Sequence, residues 1–177
     1  EEIPIMDGSA KDFIKILDRA GNKTLNKKRK FLKILNKVDV NENGKTLSIE
    51  PNNFGFEVEF ELNYSNHIIG NQKNTVNFFN DDLEDIYSSR TFCLYEDVEK
   101  IKKLGLAQGG SLDNAVVVDK DKILNPEGLR NEKEFVNHKI LDCIGDLYTT
   151  GYRIVASIKC SQGGHYLTNQ LLKKVFQ

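Results

Sequence analysis

A strict alternation of apolar and polar residues at positions 54–63 most constrains the fold of this chain. The segment FGFEVEFELN places Phe, Val or Leu at every second position, and three of the intervening residues are glutamates. Successive side chains of a β-strand point to opposite faces of its sheet, so the pattern predicts a strand buried on one face and solvated on the other. Burial on a single face is typical of an antiparallel sheet covered on one side.

The remaining segments predict more strands, together with amphipathic helices. Asn43 and Gly44 predict a tight hairpin turn between strands at 31–40 and 46–50. Further strands are predicted at 75–79, 116–119, 122–125 and 152–160, and helices at 81–88, 98–105 and from about His165 onward. We therefore expect an α+β fold, a two-layer sandwich of a mostly antiparallel sheet packed against helices.

Residues 131–151 predict the helix that carries the candidate chemistry. Asn131 and Glu134 form a variant of the capping box, and Gly151 can end the helix. One face of this helix is apolar and comprises Val136, Ile140, Cys143, Ile144, Leu147 and Tyr148. The opposite face is polar and comprises His138, Lys139, Asp142 and Asp146.

His138 and Asp142 are candidate metal ligands because residues four apart on a helix are neighbours. An imidazole nitrogen and a carboxylate oxygen at this spacing can reach one metal ion. The same spacing is also common on solvated helix faces, where it gives only a weak side-chain contact. The metal interpretation is favoured by the nearby Asp146 and by His165, which follows two glycines.

Two regions are predicted along the chain of 177 residues. Residues 1–26 are expected to be the C-terminal remnant of a first domain, with the end of a strand at 3–6 and a helix whose apolar face includes Phe13, Ile14, Leu17 and Ala20. Residues 27–177 are expected to form a second α+β domain. The sequence begins without Met, which favours a piece cut from a longer protein.

Composition excludes several classes of function. The net charge of −1 provides no global field for nucleic acid or an anionic membrane, and the basic run at 27–30 is interpreted as a solvated linker. Three cysteines without a C-x-x-C pair favour a reducing compartment, so a cytoplasmic location is expected. No apolar run is long enough for stable membrane insertion, and no signal peptide is present in the sequence.

Six motifs occur in a fixed order across essentially the whole chain. They are EIPIMDGSA at 2–10, SRTF at 89–92, GGS at 109–111, NPEGLR at 125–130, EFVxHKxLDxIGDL at 134–147 and GH at 164–165. Together they resemble the zinc-dependent UDP-3-O-acyl-N-acetylglucosamine deacetylases. The resemblance implies the second domain of a two-domain hydrolase, which removes the N-acetyl group of a UDP-linked acylated glucosamine and releases acetate. It also implies that this reaction is the committed step of lipid A biosynthesis.

The resemblance also implies roles for particular residues. His138 and Asp142 would ligate Zn²⁺, His165 would act as general acid, and Asp146 would orient that imidazole. Thr91 would hydrogen-bond the oxyanion, Phe92 would line the sugar pocket, and Lys139 would contact the diphosphate or sugar. The passage for the acyl chain would be lined by Val98, Ala107, Gly110, Ser111, Ala115 and Val117. His67 also matches a family position, where we expect a structural role.

One feature of the family is missing from this sequence. The third zinc ligand and the general base of the family come from a Glu-His pair, and no Glu-His dipeptide occurs here. We therefore expect the chain to be inactive alone and to need the missing N-terminal half as a partner. Two alternatives stay open: a non-catalytic module that binds nucleotide sugar or lipid, and a self-contained metalloenzyme in which His165 replaces the absent ligand.

Overall fold

The computed structural model describes residues 3–177, so Glu2, the first residue of the first motif, lies outside the described part together with Glu1. The helices are α1 (Lys11–Ala20), α2 (Glu84–Ser88), α3 (Tyr95–Lys103), α4 (Glu134–Tyr148) and α5 (His165–Val175). The strands are β1 (Phe31–Lys33), β2 (Val38–Glu42), β3 (Lys45–Pro51), β4 (Phe56–Asn63), β5 (Asn71–Asn77), β6 (Phe92–Leu94), β7 (Val116–Asp119), β8 (Lys122–Ile123) and β9 (Arg153–Ser161). The expectation of an α+β fold is confirmed.

The larger sheet is organised around β9. Strands follow the order β2-β3-β9-β4-β5, and β1 adds a short parallel pairing to the beginning of β9. β9 pairs antiparallel with β3 and parallel with β4, while the β2–β3 and β4–β5 pairs are antiparallel hairpins. The sheet is therefore mixed, with antiparallel pairs in the majority.

The alternation at 54–63 places its apolar residues on one face of the sheet, as predicted. Val58, Phe60 and Leu62 are buried, and Ile154, Ala156, Ile158 and Cys160 of β9 are buried on the same side. α4 packs on β4 and β5, while α5 packs on β2 and β3, and the two helices contact each other. Phe54 is an exception, because it precedes the strand and its side chain is 95% exposed.

Several predicted boundaries differ from the structure. The strand predicted at 31–40 is divided into β1 and β2, and a turn near residue 36 separates them. The helix predicted at 81–88 begins only at Glu84, because the preceding residues form a turn. In this turn the Asn77 amide donates to the Asp81 carboxylate, and Asn77 accepts from the amides of Phe79 and Asp81. The hairpin at Asn43 and Gly44 is confirmed, and both residues have positive φ angles of 50° and 77°.

A smaller three-stranded sheet lies beside the main one. β6 pairs parallel with β7, and β7 pairs antiparallel with β8. α3 packs against both β6 and β7. Phe92 joins this sheet to the core, because its ring lies 4.9 Å from Phe135 and 6.0 Å from Tyr64, measured between centroids.

The N-terminal residues do not form the predicted strand. Residues 3–6 pair with no strand in the described part of the chain, and a strand needs a neighbour to satisfy its backbone groups. The following turn is nevertheless fixed: Thr91 donates its amide to the Gly8 carbonyl at 2.8 Å, and Ala10 donates to Tyr87 at 2.9 Å. α1 continues from this turn, and Leu17 on its surface is 66% exposed.

Candidate functional site

The site begins with a buried ion pair at the first turn of α4. Glu134 is completely buried and Arg90 is 1% exposed. Glu134 Oε1 accepts from Arg90 Nε at 2.8 Å and from the Arg90 amide at 3.0 Å. Its other oxygen accepts from the Arg130 amide at 2.6 Å. Glu127 and the Gly128 carbonyl also accept from the Arg90 guanidinium, so the buried charge is compensated on several sides.

This arrangement corrects the predicted capping box. Lys133 occupies the N-cap position of α4 and makes no side-chain cap. Asn131 accepts a hydrogen bond from the Lys133 amide at 3.1 Å, but Glu134 turns away from Asn131 toward Arg90. A buried arginine is a stronger partner for a carboxylate than a solvated backbone amide, because the hydrogen bonds form between opposite charges in a low-dielectric environment.

His138 is held one turn further along α4. Its Nδ1 lies 3.0 Å from the carbonyl oxygen of Ser89. A carbonyl can only accept, so Nδ1 carries the proton and Nε2 keeps its lone pair. Burial lowers the pKa of His138 and outweighs the opposite effect of the Asp142 carboxylate, which keeps the ring neutral.

Asp142 faces the free nitrogen of this ring. Its Oδ1 lies 3.4 Å from His138 Nε2, and its Oδ2 accepts from Lys139 Nζ at 2.7 Å. The predicted pair of His138 and Asp142 is therefore brought together at the atoms that would bind a metal. A neutral imidazole whose proton is donated to a carbonyl is the usual state of a metal-ligating histidine.

The described residues do not supply a complete set of metal ligands. Within residues 3–177, no group of three His, Cys, Asp or Glu side chains is arranged to hold an ion. His138 and Asp142 fit two positions of a zinc site by donor type and tautomer, whereas a catalytic zinc site uses three protein ligands. His165 does not complete a set of three with them.

His165 pairs with Asp146 instead. It is the first residue of α5, and its Nδ1 lies 2.9 Å from both carboxylate oxygens of Asp146. Asp146 follows Asp142 by one helical turn, so α4 presents both carboxylates from its polar face. The imidazole side chain is 69% exposed, and Nε2 is the nitrogen that remains available to an incoming molecule.

Thr91 and Phe92 are positioned by backbone pairing. The Val116 amide donates to the Thr91 carbonyl at 2.8 Å, which sets the start of the β6–β7 pairing. The Thr91 amide binds Gly8, whose φ is 82°. A side chain at Gly8 would bring its Cβ to 2.1 Å from the Asn114 carbonyl oxygen, so only glycine fits there.

The residues predicted for the acyl passage are distributed around the smaller sheet. Val98 lies half-buried on α3, Ala115 is half-buried before β7, and Val117 is buried on β7. Ala107, Gly110 and Ser111 lie on the exposed loop between α3 and β7. Asn125 supports this loop by accepting from the Val117 amide at 2.9 Å and donating to the carbonyls of Ala115 and Leu112 at 2.8 Å.

Other candidate groups lie apart from this site. A cavity of about 530 Å³ is lined by Phe56, Phe78, Phe79, Leu141, Ile144, Tyr148 and neighbouring residues, on a different side of α4 from the His138 and Asp142 pair. His67 is exposed in the loop between β4 and β5. The three cysteine thiols are free, and burial raises the pKa of each, to about 11 for Cys160, so none is suited to act as a nucleophile.

Sequence reasoning missed the hydrogen bonds that Ser89, Arg90 and Glu134 form around His138. Glu134 precedes His138 by four residues and therefore lies on the same face of α4, which is the signal that could have drawn attention to it. Ser89 contributes only a backbone carbonyl, so its side chain carries no signal. No helix within residues 3–177 has both the length and the hydrophobicity required to cross a bilayer.

Comparisons with known proteins agree with the six motifs. Residues 1–177 match the family model described as LpxC, UDP-3-O-acyl N-acetylglycosamine deacetylase. The chain is 42% identical to the UDP-3-O-acyl-N-acetylglucosamine deacetylase of Pseudoalteromonas translucida, over 98% of this chain and 58% of that protein. It is 42% identical to the enzyme of the same name from Nautilia profundicola, over 99% of this chain and 60% of that protein.

A third relative gives the same result. The UDP-3-O-acyl-N-acetylglucosamine deacetylase of Phenylobacterium zucineum is 43% identical, over 97% of this chain and 59% of that protein. The chain thus spans about three fifths of the length of these curated relatives. The resemblance inferred from the motifs is confirmed, and the chain belongs to the UDP-3-O-acyl N-acetylglycosamine deacetylase family.

Proposed function

We propose that this chain is the second-domain portion of a zinc-dependent deacetylase that removes the N-acetyl group from UDP-3-O-(3-hydroxyacyl)-N-acetylglucosamine and releases acetate. The observation that carries the proposal is the state of His138. Its proton is committed to Ser89, and its free Nε2 faces Asp142 at 3.4 Å. The relatives' names supply the substrate and the reaction.

His138 and Asp142 would hold the metal in this proposal. Zinc, when bound, supplies a Lewis acid that polarises an amide carbonyl and activates water. Lys139 already binds Asp142 Oδ2 at 2.7 Å, which keeps that oxygen occupied and leaves Oδ1 for the metal side. A diphosphate or sugar that approached the polar face of α4 would meet the same lysine cation.

His165 and Asp146 would handle the proton of the leaving amine. The carboxylate fixes the imidazole through Nδ1, so Nε2 can donate a proton to a leaving nitrogen. The release of acetate and a free amine then needs no other proton donor from this chain. Thr91 would donate its hydroxyl to the oxyanion, and Phe92 would line the sugar pocket.

The proposal includes a partner for this chain. We propose that residues 1–26 belong to a first domain, that residues 27–177 form a second, and that the missing N-terminal half supplies the third ligand and the general base. The passage for the fatty acyl chain would be lined, as the motifs imply, by Val98, Ala107, Gly110, Ser111, Ala115 and Val117. Because the Glu-His pair is absent here, the chain alone would not be active.

A non-catalytic module that binds nucleotide sugar or lipid is the second candidate. The retained pair of His165 and Asp146 favours the hydrolase, because a binding module needs no exposed imidazole oriented by a carboxylate. The two candidates differ in one measurement. The full-length protein is incubated with zinc and with UDP-3-O-acyl-N-acetylglucosamine, and both substrate binding and acetate release are measured.

Acetate release that is lost in His165→Ala supports the hydrolase. Binding without acetate release, under conditions in which zinc is bound, supports the module. A matched control is Tyr166→Phe on the following residue, which is exposed and contributes no charged group to the site. Its acetate release is expected to equal that of the unaltered protein.

A further inference from the structure

The peptide group between Ser89 and Arg90 is held at both ends by α4. Its carbonyl oxygen accepts the proton of His138 Nδ1 at 3.0 Å. Its N–H donates to Glu134 Oε1 at 3.0 Å. Glu134 and His138 are four residues apart on the helix, so one peptide group spans a single turn and connects a carboxylate with an imidazole.

Glu134 is fixed in place by its surroundings. It is completely buried and accepts four hydrogen bonds: the Arg90 amide at 3.0 Å, Arg90 Nε at 2.8 Å, the Arg90 terminal nitrogen at 3.2 Å and the Arg130 amide at 2.6 Å. A carboxylate with all of its acceptor positions in use cannot rotate without losing charge-assisted bonds. Through its bond to the Arg90 amide, Glu134 therefore helps to fix the position of the Ser89 carbonyl.

The same connection affects the strength of the bond to His138. A carboxylate that accepts from a peptide N–H polarises the amide and increases the negative charge on its carbonyl oxygen. A stronger acceptor at Nδ1 holds the proton there and raises the basicity of Nε2. Both hydrogen bonds therefore favour the tautomer with the proton on Nδ1, and both hold the ring in the same orientation.

We propose that Glu134 is a positioning residue for the metal ligand His138, and that it acts through the Ser89–Arg90 peptide group. Glu134 is completely buried and is not one of the candidate metal ligands. Its role is to keep the imidazole of His138 protonated on Nδ1 and aimed with Nε2 toward Asp142. The identity of the metal rests on the proposed function, whereas the tautomer and the orientation do not.

The test compares two neutralising variants of the same ion-pair network in the full-length protein. Glu134→Gln keeps the shape of the side chain but removes the charge beside the Arg90 amide. Glu127→Gln removes the other carboxylate that binds Arg90, yet Glu127 makes no hydrogen bond to the Ser89–Arg90 peptide group. Each protein is labelled with ¹⁵N-histidine, and His138 signals are identified with His138→Gln.

The first readout is the ¹⁵N spectrum of the metal-free protein, recorded at a pH at which the imidazole is neutral. The unaltered protein and Glu127→Gln are expected to carry the His138 proton on Nδ1 alone. Glu134→Gln is expected to show a mixture of the two tautomers. A proton on Nε2 in the unaltered protein, or the same pure Nδ1 form in Glu134→Gln, would overturn the proposal.

The second readout is zinc affinity, measured by competition with a chelator. Loss of a partner that orients a metal-ligating histidine typically lowers affinity about 10- to 100-fold. We expect a loss of that size for Glu134→Gln and none for Glu127→Gln. Equal affinities in the two variants would contradict the proposal. If the unaltered protein bound no zinc, the proposed function would fail, while the tautomer would still decide this inference.

Glu134→Gln leaves Arg90 with fewer compensating charges, so folding is checked by thermal unfolding. If that variant does not fold, the double variant Arg90→Gln/Glu134→Gln replaces the buried ion pair with two neutral amides, a change that buried pairs often tolerate. The double variant is then compared with Glu127→Gln in both readouts. A pure Nδ1 tautomer together with unchanged zinc affinity in the double variant would again exclude a role for Glu134.

Discussion

His165 Nδ1 lies 2.9 Å from both carboxylate oxygens of Asp146, so an imidazole at the start of α5 is bound to a carboxylate in the last turn of α4. The two residues are 19 positions apart and are joined through strand β9. The bond leaves Nε2 as the exposed nitrogen of the ring. The proposed proton-transfer group is therefore distinct from the pair of His138 and Asp142.

Replacement of His165 with alanine should abolish turnover and leave zinc in place. General acid–base groups typically contribute about 100- to 10,000-fold in rate, and His165 takes no part in the His138 and Asp142 pair. Asp146→Asn should cause a smaller loss, because an amide oxygen can still orient the ring but carries no charge. Acetate release and bound zinc are measured in the full-length protein. Loss of zinc in His165→Ala would instead favour His165 as a ligand.

Asp142→Ala should have the opposite signature. Asp142 lies beside His138 Nε2 at the edge of the buried part of α4, so its loss should strip zinc while the thermal midpoint stays nearly unchanged. The variant also frees Lys139 from its hydrogen bond. Zinc content and thermal unfolding are measured on the same sample, with Glu132→Ala, an exposed residue before α4, as the control. Unchanged zinc content in Asp142→Ala would refute the ligand assignment.

The main sheet could be predicted because its signal is local. β4 shows a period of two, and the same side chains that alternate in the sequence alternate in burial. The hairpin at Asn43 and Gly44 was also predictable, because two residues with positive φ satisfy the turn by themselves. The order of strands was not predictable, since β9 is the last strand along the chain and yet lies between β3 and β4 in the sheet.

The candidate site was only partly predictable for the same physical reason. His138 and Asp142 are four apart, and their proximity follows from the helix alone. The partners of Glu134 could not be inferred, because Arg90 is 44 positions away and reaches Glu134 only after the chain has folded. The prediction of a strand at 3–6 was wrong, because a strand needs a neighbouring strand to pair with and no local sequence pattern supplies one.

Gly8→Ala should destabilise the turn that anchors the N-terminal residues. The new methyl group would meet the Asn114 carbonyl oxygen at 2.1 Å, and the φ of 82° already disfavours alanine. Gly21→Ala is a matched control, because Gly21 has a φ of 73° but no atom within 4 Å of the added carbon. The strain of the backbone alone costs about 1–2 kcal/mol, so Gly8→Ala should lower the free energy of unfolding by more than that. Equal losses of unfolding free energy in the two variants would show that the protein relaxes and relieves the close contact with Asn114.

The bond between Asp7 and Arg130 should make this anchor sensitive to acid. Burial raises the pKa of Asp7, but hydrogen bonds from Ser9 and the Arg130 guanidinium, whose nitrogen is 2.8 Å away, outweigh it and lower the pKa below 3.8. A carboxyl group whose pKa is lowered on folding stabilises the protein above the pKa of the unfolded state. That contribution is lost as the pH falls through the lower pKa of the folded state.

Asp7→Asn should therefore reduce the free energy of unfolding by about 1 kcal/mol at neutral pH and by progressively less as the pH falls below about 4. Asp12→Asn is the control, because Asp12 forms only a surface pair with Lys15 at 3.7 Å. Thermal unfolding of both variants is followed from neutral pH into acid. A loss at Asp7→Asn that persists undiminished in acid would show that the charge of Asp7 is not its cause.

The chain of 177 residues by itself should fold but should not deacetylate. The large sheet buries one face against α4 and α5, which provides a core that does not depend on any further chain. The site, however, has two ligand candidates within residues 3–177, and a metal bound by two side chains should be held much more weakly than one bound by three. The purified chain is assayed for acetate release with added zinc, alone and after mixing with the proposed N-terminal half, and bound zinc is determined in both samples. We expect no acetate from the chain alone, weak zinc binding, and a gain of both on mixing. Robust acetate release by the chain alone would show that the proposed N-terminal half is not required, and would favour His165 as a ligand.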